Sequence, residues 1–165
     1  NETHIVCQQA AYGDKSVTAE RTSINVAVAT GGDDAMEWVQ SGAVDAGSKT
    51  LGYDMINADT LAMQRVYMRF PVDIPNGASV TDARLHLTAE GESCDKGSVL
   101  NIRLEESDDA PAIKPWIRNS LSGRAKGETL KWTTSRKWMW PEEDQESADI
   151  STILQDVVDR PGWRA

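Results

Sequence analysis

Between Arg65 and Glu90 the chain alternates apolar and polar residues in two runs separated by a break. Val66, Met68 and Phe70 fall on one side of an extended backbone and Tyr67 and Arg69 on the other, the period-2 pattern of a strand buried on one face. Ala83, Leu85, Leu87 and Ala89 alternate in the same way with Arg84, His86, Thr88 and Glu90. The break, Ile74-Pro75-Asn76-Gly77, is turn chemistry, because proline fixes φ while asparagine and glycine tolerate positive φ. A hairpin-like pair of strands is predicted. Two amphipathic strands need a facing layer, so a two-sheet sandwich is the natural architecture.

Elsewhere the same pattern predicts strands over Ser98–Glu105, where Leu100, Ile102 and Leu104 share a face, and over Glu128–Thr133, where Leu130 and Trp132 do. Ile24–Ala29 reads as a further strand ending at Gly31-Gly32, and Lys49–Tyr53 as a short one. Residues 112–127 show no period and read as a loop or short helix. From Asp149 the period changes: Ile150, Ile153, Leu154, Val157 and Val158 follow helical spacing and give one apolar face. The Asp149 carboxylate is placed to accept from the free N–H groups of the first turn, and Pro161-Gly162 stops the helix. The prediction is a mostly β chain, a two-sheet antiparallel β-sandwich with one short amphipathic helix near the C-terminus. Residues 24–165 make the sandwich domain, and an N-terminal segment, 1–23, supplies an edge strand from His4 to Ala11.

Length and charge narrow the class. The 165 residues suffice for one domain with a real core. With 17 basic against 26 acidic residues the formal charge is −9, which disfavours nucleic acid and anionic membrane surfaces as partners. No apolar run is long enough to span a bilayer. The first residue, Asn1, suits a processed, secreted chain, and Asn1-Glu2-Thr3 is an N-glycosylation acceptor sequence. Cys7 and Cys94 match no zinc or redox spacing. They are either two buried thiols or a disulfide whose long loop contributes about 4 kcal/mol on the chain-entropy model.

Candidate chemistry lies in the loops. Asp33, Asp34 and Glu37 follow one predicted strand, Glu90 and Glu92 end another, and Asp108 and Asp109 follow a third. Calcium takes six to eight oxygen ligands and is often held between such loops, against the ordinary reading of solvated acidic turns. The acids from Glu142 to Asp149 read as a solvated loop and a helix cap. Six tryptophans accompany a single phenylalanine. Flat aromatic rings stack on sugar faces, and Trp138 and Trp140 are the candidates for such a platform, while Trp38, Trp132 and Trp163 read as core. Only two histidines are present, and no nucleophile elbow, zinc-protease or phosphate-loop motif occurs. A non-catalytic role is therefore expected.

Three stretches together resemble a β-sandwich module of secreted and surface proteins: Gly-Asp-Asp-Ala-x-Glu at Gly32–Glu37, the Arg-Phe…Ile-Pro-x-Gly-Ala-x-Val-Thr-x-Ala unit at Arg69–Ala83, and Asp149-Ile-Ser…Val-Val-Asp-Arg-Pro-Gly-Trp. The resemblance implies a jelly-roll-like sandwich similar to non-catalytic modules that bind carbohydrate or calcium, and it strengthens the calcium reading at Asp33, Asp34 and Glu37. In such modules the Pro-Gly-Trp is followed by a closing apolar strand. Here the place of that strand is expected to be taken by His4–Ala11, by a second copy or by a partner chain. Two functions follow as expectations: a calcium-stabilised, extracellular carbohydrate-binding module, lectin-like or adhesive, or a structural module that assembles with copies or a partner without recognising sugar.

Overall fold

A computed structural model describes residues 22–46, 64–88, 95–138 and 144–164 of the chain. They form small antiparallel sheets and a single short helix. The chain divides into two compact units, one from Val28–Pro71 and Ala110–Ala125, the other from Asn1–Ala27, Val72–Asp109 and Lys126–Ala165.

In the first unit β1 (Asp34–Trp38) is the central strand, between β2 (Val44–Asp45) and β3 (Gln64–Met68). Ala35 stands opposite Tyr67, and Glu37 opposite Arg65 and Val44. Alternation therefore places Ala35, Glu37, Tyr67 and Val44 on one side of the pleat. Buried Ala35, Ile113 and Leu121 form a small core with Val44, Ala46 and Tyr67 packed against it. Asp33 adjoins β1, and its carboxylate accepts from Thr30 Oγ1 at 2.8 Å and pairs with Arg69 Nε at 2.8 Å.

The second unit is built around α1 (Ser151–Val158). Ile150, Ile153, Leu154, Val157 and Val158 are all buried, as their spacing predicts, and each full burial of such a side chain stabilises the fold by about 1.5–3 kcal/mol relative to exposure. Asp149 Oδ1 accepts from Ser151 N at 2.8 Å and from Ala83 N at 3.1 Å. The carboxylate therefore accepts from one helical N–H, acting from the residue before the N-cap Ile150, which itself carries no capping side chain, and it also fastens the preceding 83–85 segment. Two sheets accompany the helix: β4 (His86–Thr88) with β7 (Asp144–Glu146), and β5 (Val99–Ile102) with β6 (Leu130–Thr133). Leu100 stands opposite Trp132, and Ile102 opposite Leu130, so the two predicted apolar faces coincide.

Three elements differ from the sequence reading. The strand predicted at Ile24–Ala29 is absent, and residues 34–38, read as an acidic loop, form β1 instead. Neither residue type nor burial alternates there, since Ala35, Met36 and Glu37 are all buried, as suits a central strand covered by a neighbour on each side. The two strands of the Arg65–Glu90 stretch do not pair: β3 joins β1, while β4 joins β7. The turn forms, with Gly77 at φ 78° and Ala78 N donating to Pro75 O at 3.0 Å. Beyond it, however, the backbone is claimed by the helix. Gln155 accepts from Val80 N at 2.7 Å and donates to Ala78 O at 2.9 Å, in the manner of a neighbouring strand's peptide group. Asn76 donates to Val158 O and Arg160 O at the helix end. Finally, Asp144–Glu146 is a strand, with Gln145 buried between two exposed acids. Those acids are engaged: Asp144 Oδ2 lies 2.8 Å from His86 Nδ1, and Glu146 Oε1 2.9 Å from Arg84 Nη1. The strands predicted at His4–Ala11 and Lys49–Tyr53 and both cysteines lie outside the described residues, as does Asn1.

Candidate functional site

Tryptophan combines a large apolar ring with a polar N–H and is enriched where proteins meet partners, although single exposed apolar side chains are ordinary on a protein surface. Of the five tryptophans among the described residues, Trp132 is buried, and Trp38, Trp138 and Trp163 are half-buried. Trp138 packs against Trp132, ring centroids 5.5 Å apart at 40°, and Trp163 Nε1 donates to Ile74 O at 2.7 Å. Trp116 is 77% exposed, and its neighbour Ile117 45%. The expected platform at Trp138 is thus partly absorbed by packing, Trp140 lies outside the described residues, and the exposed ring belongs to Trp116.

Trp116 occupies a turn that its own sequence dictates. Ile117 N donates to Lys114 O at 3.0 Å, closing a β-turn with Pro115 at its second position, where a fixed φ near −65° is wanted. Ser120 Oγ donates to the same carbonyl at 3.2 Å. On either side of the turn, Ile113 and Leu121 enter the core of the first unit, so the turn is tethered by two buried apolar residues. Polar ties to the sheet complete the attachment. Glu37 Oε2 accepts from Leu121 N and Ser122 N, both at 3.1 Å. Asn119 N donates to Gly42 O at 2.8 Å, and Arg118 Nη1 to Ser41 O at 2.8 Å. Asn119 adopts the left-handed conformation, φ 56°, and Gly42 has φ 64°. A Cβ at Gly42 would collide with the Asn119 side chain, so the β1–β2 turn and the Trp116 loop meet in a contact that only glycine allows.

The electrostatics of the loop oppose those of the chain. Lys114 and Arg118 stand two residues to either side of Trp116 in sequence, and among the described residues no carboxylate pairs with either, Arg118 donating instead to Ser41 O. Arg124 Nη2 donates to Ala112 O at 3.1 Å, bracing the base of the loop. A flat, exposed ring can stack on an apolar sugar face, and cations two residues to either side of it in sequence can take hydroxyl, carboxylate or sulfate oxygens.

The acids expected to hold calcium that lie among the described residues stand in both units. Asp33 is spent on Arg69 and Thr30, and Glu37 on the amides of Leu121 and Ser122. Asp34 Oδ1 is buried and receives no hydrogen bond among the described residues, and burial raises its pKa. In the second unit Asp108 Oδ1 pairs with Arg160 Nε at 2.6 Å, and Asp109 is exposed. Glu90 and Glu92 lie outside the described residues. Among the described residues no three His, Cys, Asp or Glu side chains are grouped to hold a metal ion.

The second unit also carries an open cleft of about 460 Å³ over Leu104, Ile153 and Val157. Its rim is charge-balanced: Arg103, Lys126 and Arg160 face Glu106, Glu128 and Asp156. No aromatic ring lines it, and it offers no directional feature comparable to the Trp116 loop.

The sequence reading, which points to Trp138 and Trp140, misses Trp116; the signal that finds it is its setting. It stands in 112–127, where the apolar residues follow neither period, and an apolar residue without an amphipathic partner has no predicted core to enter. Comparison with family models, with curated proteins and with solved structures found no match to this chain.

Proposed function

We propose that the chain is a non-catalytic, carbohydrate-binding β-sandwich module of an extracellular protein, with Trp116 as its binding platform and Lys114 and Arg118 as its polar contacts. The observation that carries this reading is the 77% exposure of Trp116 on a loop fastened to the sheet by Glu37, Gly42 and two buried apolar residues. A preformed platform binds without the cost of ordering a loop, and the ring supplies a large contact area at low conformational cost. Cations that no described carboxylate neutralises favour glycans bearing carboxylate or sulfate over neutral ones.

A glycan panel read by tryptophan fluorescence and calorimetry tests the proposal. Binding of acidic glycans is expected, lost in Trp116→Ala and retained in Trp138→Phe. Trp116→Ala should melt within about 0.5 kcal/mol of the parent, as surface substitutions do. Lys114→Glu with Arg118→Glu should weaken acidic glycans and leave neutral ones unchanged. Running the panel with and without chelator assigns calcium a part only where chelation weakens binding. Glycan silence, with concentration-dependent assembly that Trp116→Ala abolishes, would replace this reading by that of a structural module.

A further inference from the structure

Glu37 is 1% exposed, yet it is a carboxylate. Burying such a group is costly unless hydrogen bonds compensate. Its Oε2 receives two, from consecutive backbone amides of the Trp116 loop, Leu121 N and Ser122 N, each at 3.1 Å. Adjacent N–H groups aimed at one oxygen form a small anion-binding concavity, and here the anion is fixed in the central strand of the sheet. Arg65 and Val44 stand opposite it in the register, so strand pairing sets the backbone from which the carboxylate reaches.

From this arrangement we infer that Glu37 is a positioning residue: its carboxylate selects the single loop conformation in which Trp116 is displayed. The hydrophobic tethers at Ile113 and Leu121 hold the loop down, but apolar contact is non-directional. Hydrogen bonds to two successive amides fix the direction in which the chain leaves the core. The adjoining contacts, Asn119 N to Gly42 O and Arg118 to Ser41 O, then have a defined register. For its effect on binding the inference rests on Trp116 being the ligand platform, whereas the anchoring itself can be read without any ligand.

The test compares Glu37→Leu and Glu37→Gln in the full chain. The glutamine keeps an sp² oxygen able to accept both amides, and the leucine does not. Hydrogen exchange at the Leu121 and Ser122 amides should accelerate at least about tenfold in Glu37→Leu and return to near the parent rate in Glu37→Gln. The fluorine NMR line of fluorotryptophan at position 116, assigned by its loss in Trp116→Phe, should broaden or split in Glu37→Leu alone. Affinity for the acidic glycan should fall about tenfold in Glu37→Leu and recover in Glu37→Gln. Unaltered exchange and an unaltered fluorine line in Glu37→Leu would overturn the inference. So would unprotected Leu121 and Ser122 amides in the parent protein, a measurement that needs no variant to fold. An altered line with undiminished affinity would overturn the positioning role, while glycan silence in the parent would overturn only the carbohydrate reading and leave exchange to decide the anchor.

Discussion

A carboxylate whose desolvation on folding outweighs its hydrogen bonding leaves its mark on the pH dependence of stability. Asp34 is such a group: its Oδ1 is buried without a hydrogen bond among the described residues, and desolvation, only partly offset by a backbone hydrogen bond, raises its pKa above 3.8. A carboxyl raised in the folded state holds its proton more tightly there than in the unfolded chain. Its contribution to stability therefore declines as pH rises from the ordinary value through the raised one, and is flat beyond. Asp34→Asn removes the charge and keeps the shape. The variant should melt with the parent at pH 3 and above it at pH 7; thermal melts at the two pH values check this, and a variant that melts lower at pH 7 contradicts it. Gly42 is the second sensitive position. Its φ of 64° and the collision of any Cβ with Asn119 make Gly42→Ala strained twice over. A cost exceeding about 1 kcal/mol is expected from urea unfolding, together with altered Trp116 fluorescence.

At the scale of elements, α1 shows how a periodic pattern becomes structure. Its five apolar positions are buried, and Leu154→Ala, at a site 5% exposed, should cost about 2–5 kcal/mol in denaturant unfolding. Burial acts to raise the pKa of Asp149, but hydrogen bonds from Ser151 N and Ala83 N outweigh it, and the net shift is downward. The sign is opposite to that of Asp34. The stabilisation is present above the ordinary carboxylate value and is lost as pH falls through the depressed one. Asp149→Ala should therefore destabilise by about 1 kcal/mol at pH 7 and by less at pH 3, as paired melts will show. The same helix explains why the second run of alternation was only partly a strand. Gln155, Asp149 and Ser147 side chains take the backbone amides of Val80, Ala83 and Leu85. Period-2 burial survives there, with Ala83 and Leu85 buried, and their carbonyls accept from Ile150 N and Ser147 N, although side chains take the amides and no regular ladder forms. Alternation reports which residues face a core; it does not report which group satisfies the backbone.

For the molecule as a whole, the proposed platform sets a local positive charge against a formal net charge of −9. Screening separates the two by distance. At about 0.01 M salt the Debye length is about 30 Å and remote acids repel an anionic glycan, whereas at about 0.1 M it is about 10 Å and the contact with Lys114 and Arg118 is less affected. Affinity for an acidic glycan should thus rise between those salt concentrations before falling at higher salt. Titration at graded ionic strength checks this, and a monotonic fall from the lowest salt would show that the remote charges play no part.

Sequence by itself determined the local periods: the helical face after Asp149, the matched faces of β5 and β6, and the turn at Pro75–Ala78, because each depends on residues a few positions apart. Only the tertiary structure decided the rest. It joined β3 to β1 rather than to β4, made Asp34–Trp38 part of a sheet, and gave Glu37 the amides of a loop more than eighty residues away. It also distributed the tryptophans, packing Trp138 on Trp132 while leaving Trp116 in solvent. The physical reason is common to all of these. Exposure and hydrogen-bond partnership depend on which distant segment arrives, and a period along the chain carries no information about that arrival.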